Sequence, residues 1–399
     1  MSVMNQSTQW VYRLLALTLA SLSALLVVEV WFRIFTTASD IPYWESDSIV
    51  GYRHTPNLRG VFSTGEHSAR FKLNNRGWNS PATYTSARKS GVTRIAVIGD
   101  SFVEALQVDV GAGLGPVLED LLKRAGHPVE VYTYGISGAS TAYVHDLLAT
   151  EVLGDHPDCV IYLFINNDVR DSVPFFGGIH QLGPIYDLDG KELPRRLSVQ
   201  IYQPNFWRVT LSHSAIFRYF WINRGLETYL RKGRLRTQVK NRTNADKEVP
   251  AEVNSTLSPE WEKAWRVVGG LIADMNLQAR RAGADFVVVN RPDPANYYPG
   301  EQVEDMKLPQ EVLNRLAADG QFTFIDLGPW FARDWETHHI PFDFKTDPHW
   351  NQRGQRVAAQ AMSEILLERN KVLMPRDRPQ LVGNPEHESQ PPDNPRPTP

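Results

Sequence analysis

Arg94-Ile95-Ala96-Val97-Ile98-Gly99-Asp100-Ser101 is the stretch on which the reading of this chain turns. A short apolar run that stops at a glycine is too brief for a helix and reads as a strand buried on both faces. A polar turn follows, and from Leu114 to Ala125 apolar residues recur at helical spacing. Ser101 therefore stands just past the carboxyl end of a strand, on the way into a helical segment.

The same unit recurs outward from this point. Val129 to Tyr134 reads as a second strand, Thr141 to Leu153 as a helix, and Cys159 to Ile165 as a third strand. The pattern breaks at Pro174. It resumes with a helix from about Pro259 to Ala282, a strand at Asp285 to Val289, a helix around Leu308 to Ala318, a strand at Phe322 to Asp326 and a last helix from about Gln352 to Arg369. Parallel pairing requires crossovers that lay helices over both faces of a sheet. The alternation thus predicts a doubly wound α/β/α fold around a parallel sheet of about five strands, within residues 91–374.

Ligands of doubly wound sheets bind at the carboxyl ends of the strands, so polar residues just after strands are the candidates for chemistry. Ser101 follows the first strand, Gly138 the second, Asn167 and Asp168 the third, and Asp347 and His349 the fifth at some distance. A serine hydroxyl is a weak nucleophile until a base removes its proton, and His349 is the candidate base. A carboxylate that holds the imidazole tautomer is also needed, and Asp347 lies two residues away. Pro348 biases Asp347 away from the helical region, and in an extended stretch residues i and i+2 face the same side. Gly138 would leave a bare backbone N–H toward a substrate, and Asn167 would offer a side-chain N–H. With the Ser101 amide these make a candidate oxyanion hole.

In this order and context the residues resemble the SGNH/GDSL hydrolases, a family named for serine, glycine, asparagine and histidine in four sequence blocks. The corresponding blocks are Ile98-Gly99-Asp100-Ser101-Phe102, Gly135 to Gly138, Asn166-Asn167-Asp168-Val169-Arg170-Asp171, and Asp347-Pro348-His349-Trp350-Asn351. The resemblance covers Arg94 to about Arg369 and implies a flavodoxin-like sheet, ester or acyl-transfer chemistry and no cofactor. Two departures stand out. The last block is D-x-H where D-x-x-H is commonest, which keeps Asp343 as a reserve for the acid. The third reads Asn166-Asn167-Asp168 where Gly-Asn-Asp is usual, which puts a side chain where glycine would let the backbone approach closely.

Outside this domain the N-terminus is the most informative segment. Leu14 to Phe32 runs nineteen residues with one charge, Glu29, long enough as a helix to span a bilayer core of about 30 Å. Residues 14–35 read as a transmembrane anchor after a cytoplasmic stretch at 1–13, with a cleaved signal peptide as the rival reading. Arg13 on one side against Asp40, Glu45 and Asp47 on the other favours a catalytic part outside the membrane, on the periplasmic side. Residues 36–90 form an approach segment of loops and short strands. An insertion at about 173–250 carries many aromatics and reads first as a satellite core that buries its own rings, with a lid or substrate wall as the alternative. Arg224 to Arg242 holds seven Lys or Arg against one acid and reads as a solvated face rather than a lipid-headgroup site. In residues 375–399 eight prolines and almost no apolar side chains predict disorder.

Composition excludes several classes. A net charge of -3 provides no basic face to displace counterions from nucleic acid. The single cysteine, Cys159, rules out an intramolecular disulfide and a Cys-rich zinc site, and reads as a small core hydrophobe. Four functional readings remain open. The first is an esterase acting on an acylated carbohydrate or other ester. The second is an O-acyltransferase that hands the same acyl group to a cell-envelope polysaccharide. The third is an inactive binding module. The fourth is a metal site built from His338, His339, Asp343, Asp347 and His349, which lacks helical ligand spacing.

Overall fold

The structure, a computed structural model, describes residues 6–165, 167–176, 182–189, 193–226, 229, 258–294, 297–298, 307–320, 322–369 and 373. Asn166, most of the basic run at 224–242 and the tail at 375–399 lie outside the described residues. Helix α1 (Gln6–Phe35) comes first. Its segment Gln9–Phe35 is long and apolar enough to cross a membrane, and none of it is buried in the protein. Two short antiparallel hairpins follow, β1 (Trp44–Asp47) with β2 (Gly51–His54), and β3 (Arg59–Ser63) with β4 (Ser68–Lys72).

The alternating unit then begins with β5 (Thr93–Gly99), α2 (Ser101–Glu104), α3 (Leu114–Arg124), β6 (Val129–Gly135), α4 (Thr141–Thr150), β7 (Cys159–Phe164) and α5 (Asn167–Asp171). A hairpin of β8 (Gly183–Leu188) and β9 (Pro194–Gln200) leads to α6 (Phe206–Ser212), α7 (Ala215–Arg218) and a π-helical turn at Tyr219–Asn223. The fold closes with α8 (Pro259–Arg281), β10 (Asp285–Asn290), α9 (Lys307–Gly320), β11 (Thr323–Asp326), α10 (Gly328–His338) and α11 (Gln352–Glu368).

The central sheet has five parallel strands in the order β11-β10-β7-β5-β6. Renumbered along the chain this is 2-1-3-4-5, the flavodoxin-like order, whose direction of winding reverses between β5 and β7. Strand periodicity sorts the core into two layers. Ala96 and Ile98 of β5 face a cluster with Val144 and Leu148 of α4 and Val268 and Ile272 of α8. Ile95 and Val97 face the opposite cluster with Leu118 of α3, Phe331 of α10 and Met362 of α11. Cys159 sits in that second layer, fully buried, as a core residue.

Residues 36–90 pack onto this domain. Trp78 is buried, Tyr84 stacks on Tyr132 of edge strand β6 at 3.9 Å, and the Tyr84 hydroxyl donates to the Thr133 carbonyl at 3.0 Å. An exposed sheet edge invites pairing with other chains, and these residues cover it. The insertion differs from the expected satellite core. Phe175, Phe176 and Tyr202 pack against the main core and Tyr186 is buried in it, whereas Phe206 and Trp207 stand exposed. Among the described residues, the rings before and after β8 and β9 find the main core already at hand.

Candidate active site

Ser101 owes its position to a sharp strand-to-helix turn. The turn needs Gly99, because a Cβ there would lie 2.7 Å from the Val103 side chain and 3.0 Å from the Leu163 carbonyl oxygen. Asp100 caps α2, its carboxylate accepting from the Phe102 N–H at 3.0 Å. Gly135, at the end of β6, lets α2 lie directly on the neighbouring strand. A Cβ there would stand 2.2 Å from the Glu104 backbone nitrogen.

The histidine arrives from the opposite end of the domain. Trp350, fully buried, packs on Phe331 and Phe102 with ring centroids 5.3 and 5.0 Å apart. Asn351 caps α11 by accepting from the Arg353 and Gly354 N–H groups at 2.8 and 3.2 Å. Between these anchors and Asp347 the chain projects His349 toward Ser101, a residue 248 positions earlier, with Nε2 at 2.7 Å from the Ser101 Oγ. The Asp347 carboxylate lies 2.5 Å from the His349 Nδ1 and also accepts from the His349 backbone N–H at 3.0 Å. The two-residue spacing thus lets one carboxylate oxygen serve both the ring and the backbone of the same histidine. Asp343, the reserve for the acid, lies instead beside Tyr297 and Tyr298.

Charge at the site is arranged around this histidine. Burial disfavours its cation, but the hydrogen bond and charge of Asp347, with Asp100 behind it, prevail and raise its pKa above the ordinary histidine value. Asp347 is partly desolvated too, yet its contacts with His349 and His67 hold it well below the usual carboxylate range. Burial pushes Asp100 up to about 6 against the N–H of Phe102 and the charge of His349. Asp168, buried against Asp100, is pushed well above the usual carboxylate range by burial and by that neighbouring charge. Its Oδ2 accepts from the Tyr162 hydroxyl at 2.9 Å.

Gly138 and Asn167 follow β6 and β7, the two strands that flank β5. Gly138 has φ +82°, a left-handed conformation that side chains resist, so glycine is required there. Its loop is tied down on both sides. The Tyr52 hydroxyl donates to the Ser137 carbonyl at 3.0 Å, and the Glu104 carboxylate accepts from the Ser137 N–H at 2.8 Å and from its hydroxyl. The other Glu104 oxygen lies 2.5 Å from the Nε2 of buried His54. Asn167 begins α5 and is half-buried.

Two groups at this rim carry little local sign in the sequence. His67, in the turn between β3 and β4, sits buried with Nε2 at 3.6 Å from the free side of Asp347 and its ring 4.8 Å from that of Phe344. The neighbouring Glu66 carboxylate accepts from the Thr346 N–H at 2.9 Å. The His54–Glu104 pair is the second. Helical spacing from Ser101 to Glu104 hints that the acid is near, but its partner lies in β2. The alternative metal set does not converge. His338 is held by Asp334 at 3.0 Å from its backbone oxygen, and no group of three metal-ligating side chains occurs among the described residues.

No known family profile and no curated protein matches this chain. Solved structures of GDSL-type hydrolases are among its structural neighbours. The chain is similar to TesA (14% identity, covering 69% of this chain and 98% of that one, TM-score 0.39). It is similar to the acetyl xylan esterase AlAXEase (13%, 68% and 99%, TM-score 0.38). It is also similar to the lipase/acylhydrolase from Enterococcus faecalis (14%, 69% and 96%, TM-score 0.35). These likenesses concern the course of the chain and say nothing of its chemistry.

Proposed function

We propose that this protein is a serine ester hydrolase that works through an acyl-serine intermediate, with Ser101 as nucleophile, His349 as general base and Asp347 as the group that orients the imidazole. The observation that carries this reading is the 2.7 Å separation of Ser101 Oγ and His349 Nε2, with Asp347 on the other ring nitrogen. The Ser101 oxygen attacks the ester carbonyl as its proton passes to His349 Nε2. Negative charge on the former carbonyl oxygen is met by the backbone N–H groups of Ser101 and Gly138 and the side chain of Asn167. The C–O bond then breaks, the alcohol leaves with the proton held by His349, and the acyl group stays on Ser101. Water, deprotonated by the same imidazole, attacks the acyl-serine and releases the acid.

The substrate in this reading is an ester, with an acylated carbohydrate as the preferred class, and α1 anchors the enzyme so that it acts outside the membrane. Support for the anchor is the apolar stretch Gln9–Phe35. The same intermediate serves an O-acyltransferase if a sugar hydroxyl takes the place of water. The test is made on the purified full chain in detergent. A fluorophosphonate labels Ser101, an aryl acetate is hydrolysed, and Ser101→Ala abolishes both. Folded protein that does neither is a binding module. Mass spectrometry of the acyl-enzyme, chased with water alone or with an oligosaccharide acceptor, then separates esterase from transferase by the product formed.

A further inference from the structure

Glu29 is the one acid in a helix otherwise suited to hydrocarbon, and an unpaired carboxylate at that depth is costly. It does not lack partners. Its oxygens accept from the Ser214 hydroxyl at 2.8 Å and from the Ala215 and Ile216 N–H groups at 2.8 and 3.2 Å, so it caps α7 across 185 residues of chain. One turn later Arg33 donates to the His213 carbonyl at 2.6 Å. Phe32 packs edge-on against Tyr219 at 5.2 Å. Just beyond the helix, Asn223 bonds the Thr37 carbonyl and the Ser39 N–H at 2.8 and 2.9 Å, and Arg218 pairs with Asp40 at 2.9 Å. Residues 213–223 are thereby clamped to the last two turns of α1 and the residues just after it, and α6 packs on α7 beside them.

The clamped segment and α6 turn apolar surface outward. Phe206 and Trp207 are 71% and 69% exposed and touch each other edge to face, with ring centroids 5.4 Å apart. Nearer α1 the exposed Phe220 lies with its ring 6.0 Å from that of Phe32, and Trp31, Ile34 and Phe35 of the same helix end are exposed as well. Adjacent exposed aromatics are a liability in water but are favoured at bilayer headgroups, where an amphipathic ring has one wet and one dry side. Glu29 lies about 9 Å along the axis from Phe35, at about 1.5 Å per residue, which is the depth of the interfacial zone.

We propose that residues 206–223 are a second membrane contact, a foot seated in the bilayer surface beside the exit of α1, with Phe206 and Trp207 inserted among the lipids. The inference rests on the reading of α1 as an anchor. Continuity with that helix selects lipid rather than a second copy or a soluble partner as the occupant. Helix α6 also contributes Val209 and Ser212 to a cavity of about 150 Å³ that touches Ser137, one residue before Gly138. The foot would set this cavity close to the membrane surface.

The test places a nitroxide at Trp207→Cys, or at Phe206→Cys should the first variant fold poorly, in the full chain reconstituted in phosphatidylcholine and phosphatidylglycerol vesicles. Native Cys159 is buried and leaves the introduced thiol as the reactive one. Labels at Leu17→Cys in α1 and at exposed Lys89→Cys are the membrane and water references. The expected result is loss of collisions with a nickel chelate and gain of collisions with oxygen at position 207, as at position 17 and unlike position 89. A wet label at 207 with a dry one at 17 overturns the foot and leaves the anchor standing. Wet labels at both overturn the anchor itself. Spin–spin coupling between copies at 207, with oxygen excluded, overturns the foot in favour of self-association.

Discussion

Two histidine–carboxylate pairs stand at the rim of this sheet at the same separation of 2.5 Å, and they differ in what surrounds them. In the pair of His349 and Asp347 the side chains are 26% and 23% exposed, and the free ring nitrogen faces a serine hydroxyl. In the pair of His54 and Glu104 both side chains are 1% exposed, and the free ring nitrogen lies 3.4 Å from the Tyr43 carbonyl. The first pair can exchange a proton with a bound molecule. The second has its polar atoms committed to neighbours and holds the Ser137-Gly138 loop in place. In the proposed reading, chemical type and distance therefore do not separate a proton-transfer pair from a structural one; access and the partner of the outer nitrogen do.

The strongest way to break that contrast is to remove each pair's outer partner or ring and ask what is lost. Ser101→Ala or His349→Ala should lower kcat/KM for an aryl ester by about 10⁴- to 10⁶-fold, because members of such a unit are not additive, while thermal unfolding stays near the parent. His54→Ala should do the reverse, losing stability first. Should His54→Ala match His349→Ala in activity at equal fold content, the two pairs would not differ as described.

Asp347→Asn comes next and sharpens the electrostatic side of the comparison. It should cost about 10³- to 10⁴-fold in kcat/KM by loss of the tautomer-holding charge. The pH profile carries a sign. The imidazole must be neutral to accept a proton, so activity rises as pH increases through a pKa that Asp347 holds above the ordinary histidine value. Without that carboxylate the rise should move to lower pH. A rise that stays in place or moves upward would show that Asp347 does not raise the pKa.

Glu104→Ala leaves His54 and Ser137 without their buried partner and should destabilise the fold by about 3–5 kcal/mol in denaturant titration. The smallest effect is expected for His67→Ala. Its 3.6 Å contact with Asp347 is worth about 1 kcal/mol at most, so kcat/KM should fall by no more than about 5-fold, with a modest shift of the acidic limb. His67→Gln should recover part of this, since an amide can still donate to the carboxylate. No change in either variant would make the β3–β4 turn a bystander.

Most of the sheet was legible because strands covered on both faces carry unbroken apolar runs, as β5 and β7 do. Helix α10 was not, since only Gly328 and Phe331 are buried along it and its apolar stripe is too thin to stand out. The hairpin of β8 and β9 hid for a related reason. Much of β9 is exposed, so no alternation marks it. At the site, Ser101, His349 and Asp347 could be chosen from local chemistry, because a hydroxyl after a strand and a D-x-H segment each suggest a role on their own. Nothing local marks His67, whose partner lies 280 positions away in the chain.

By itself the sequence determined the layers of the domain, the rim at which polar residues gather and the apolar helix at the N-terminus, since each follows from the pattern of neighbouring residues. Tertiary structure alone decided that one oxygen of Asp347 meets both the ring and the backbone of His349, that a second histidine stands behind it, and that Glu29 caps a helix of the insertion. The physical reason is range. Periodicity records which face of an element is apolar, whereas a hydrogen bond is made or missed within a fraction of an ångström, by parts of the chain whose meeting only the packed core enforces.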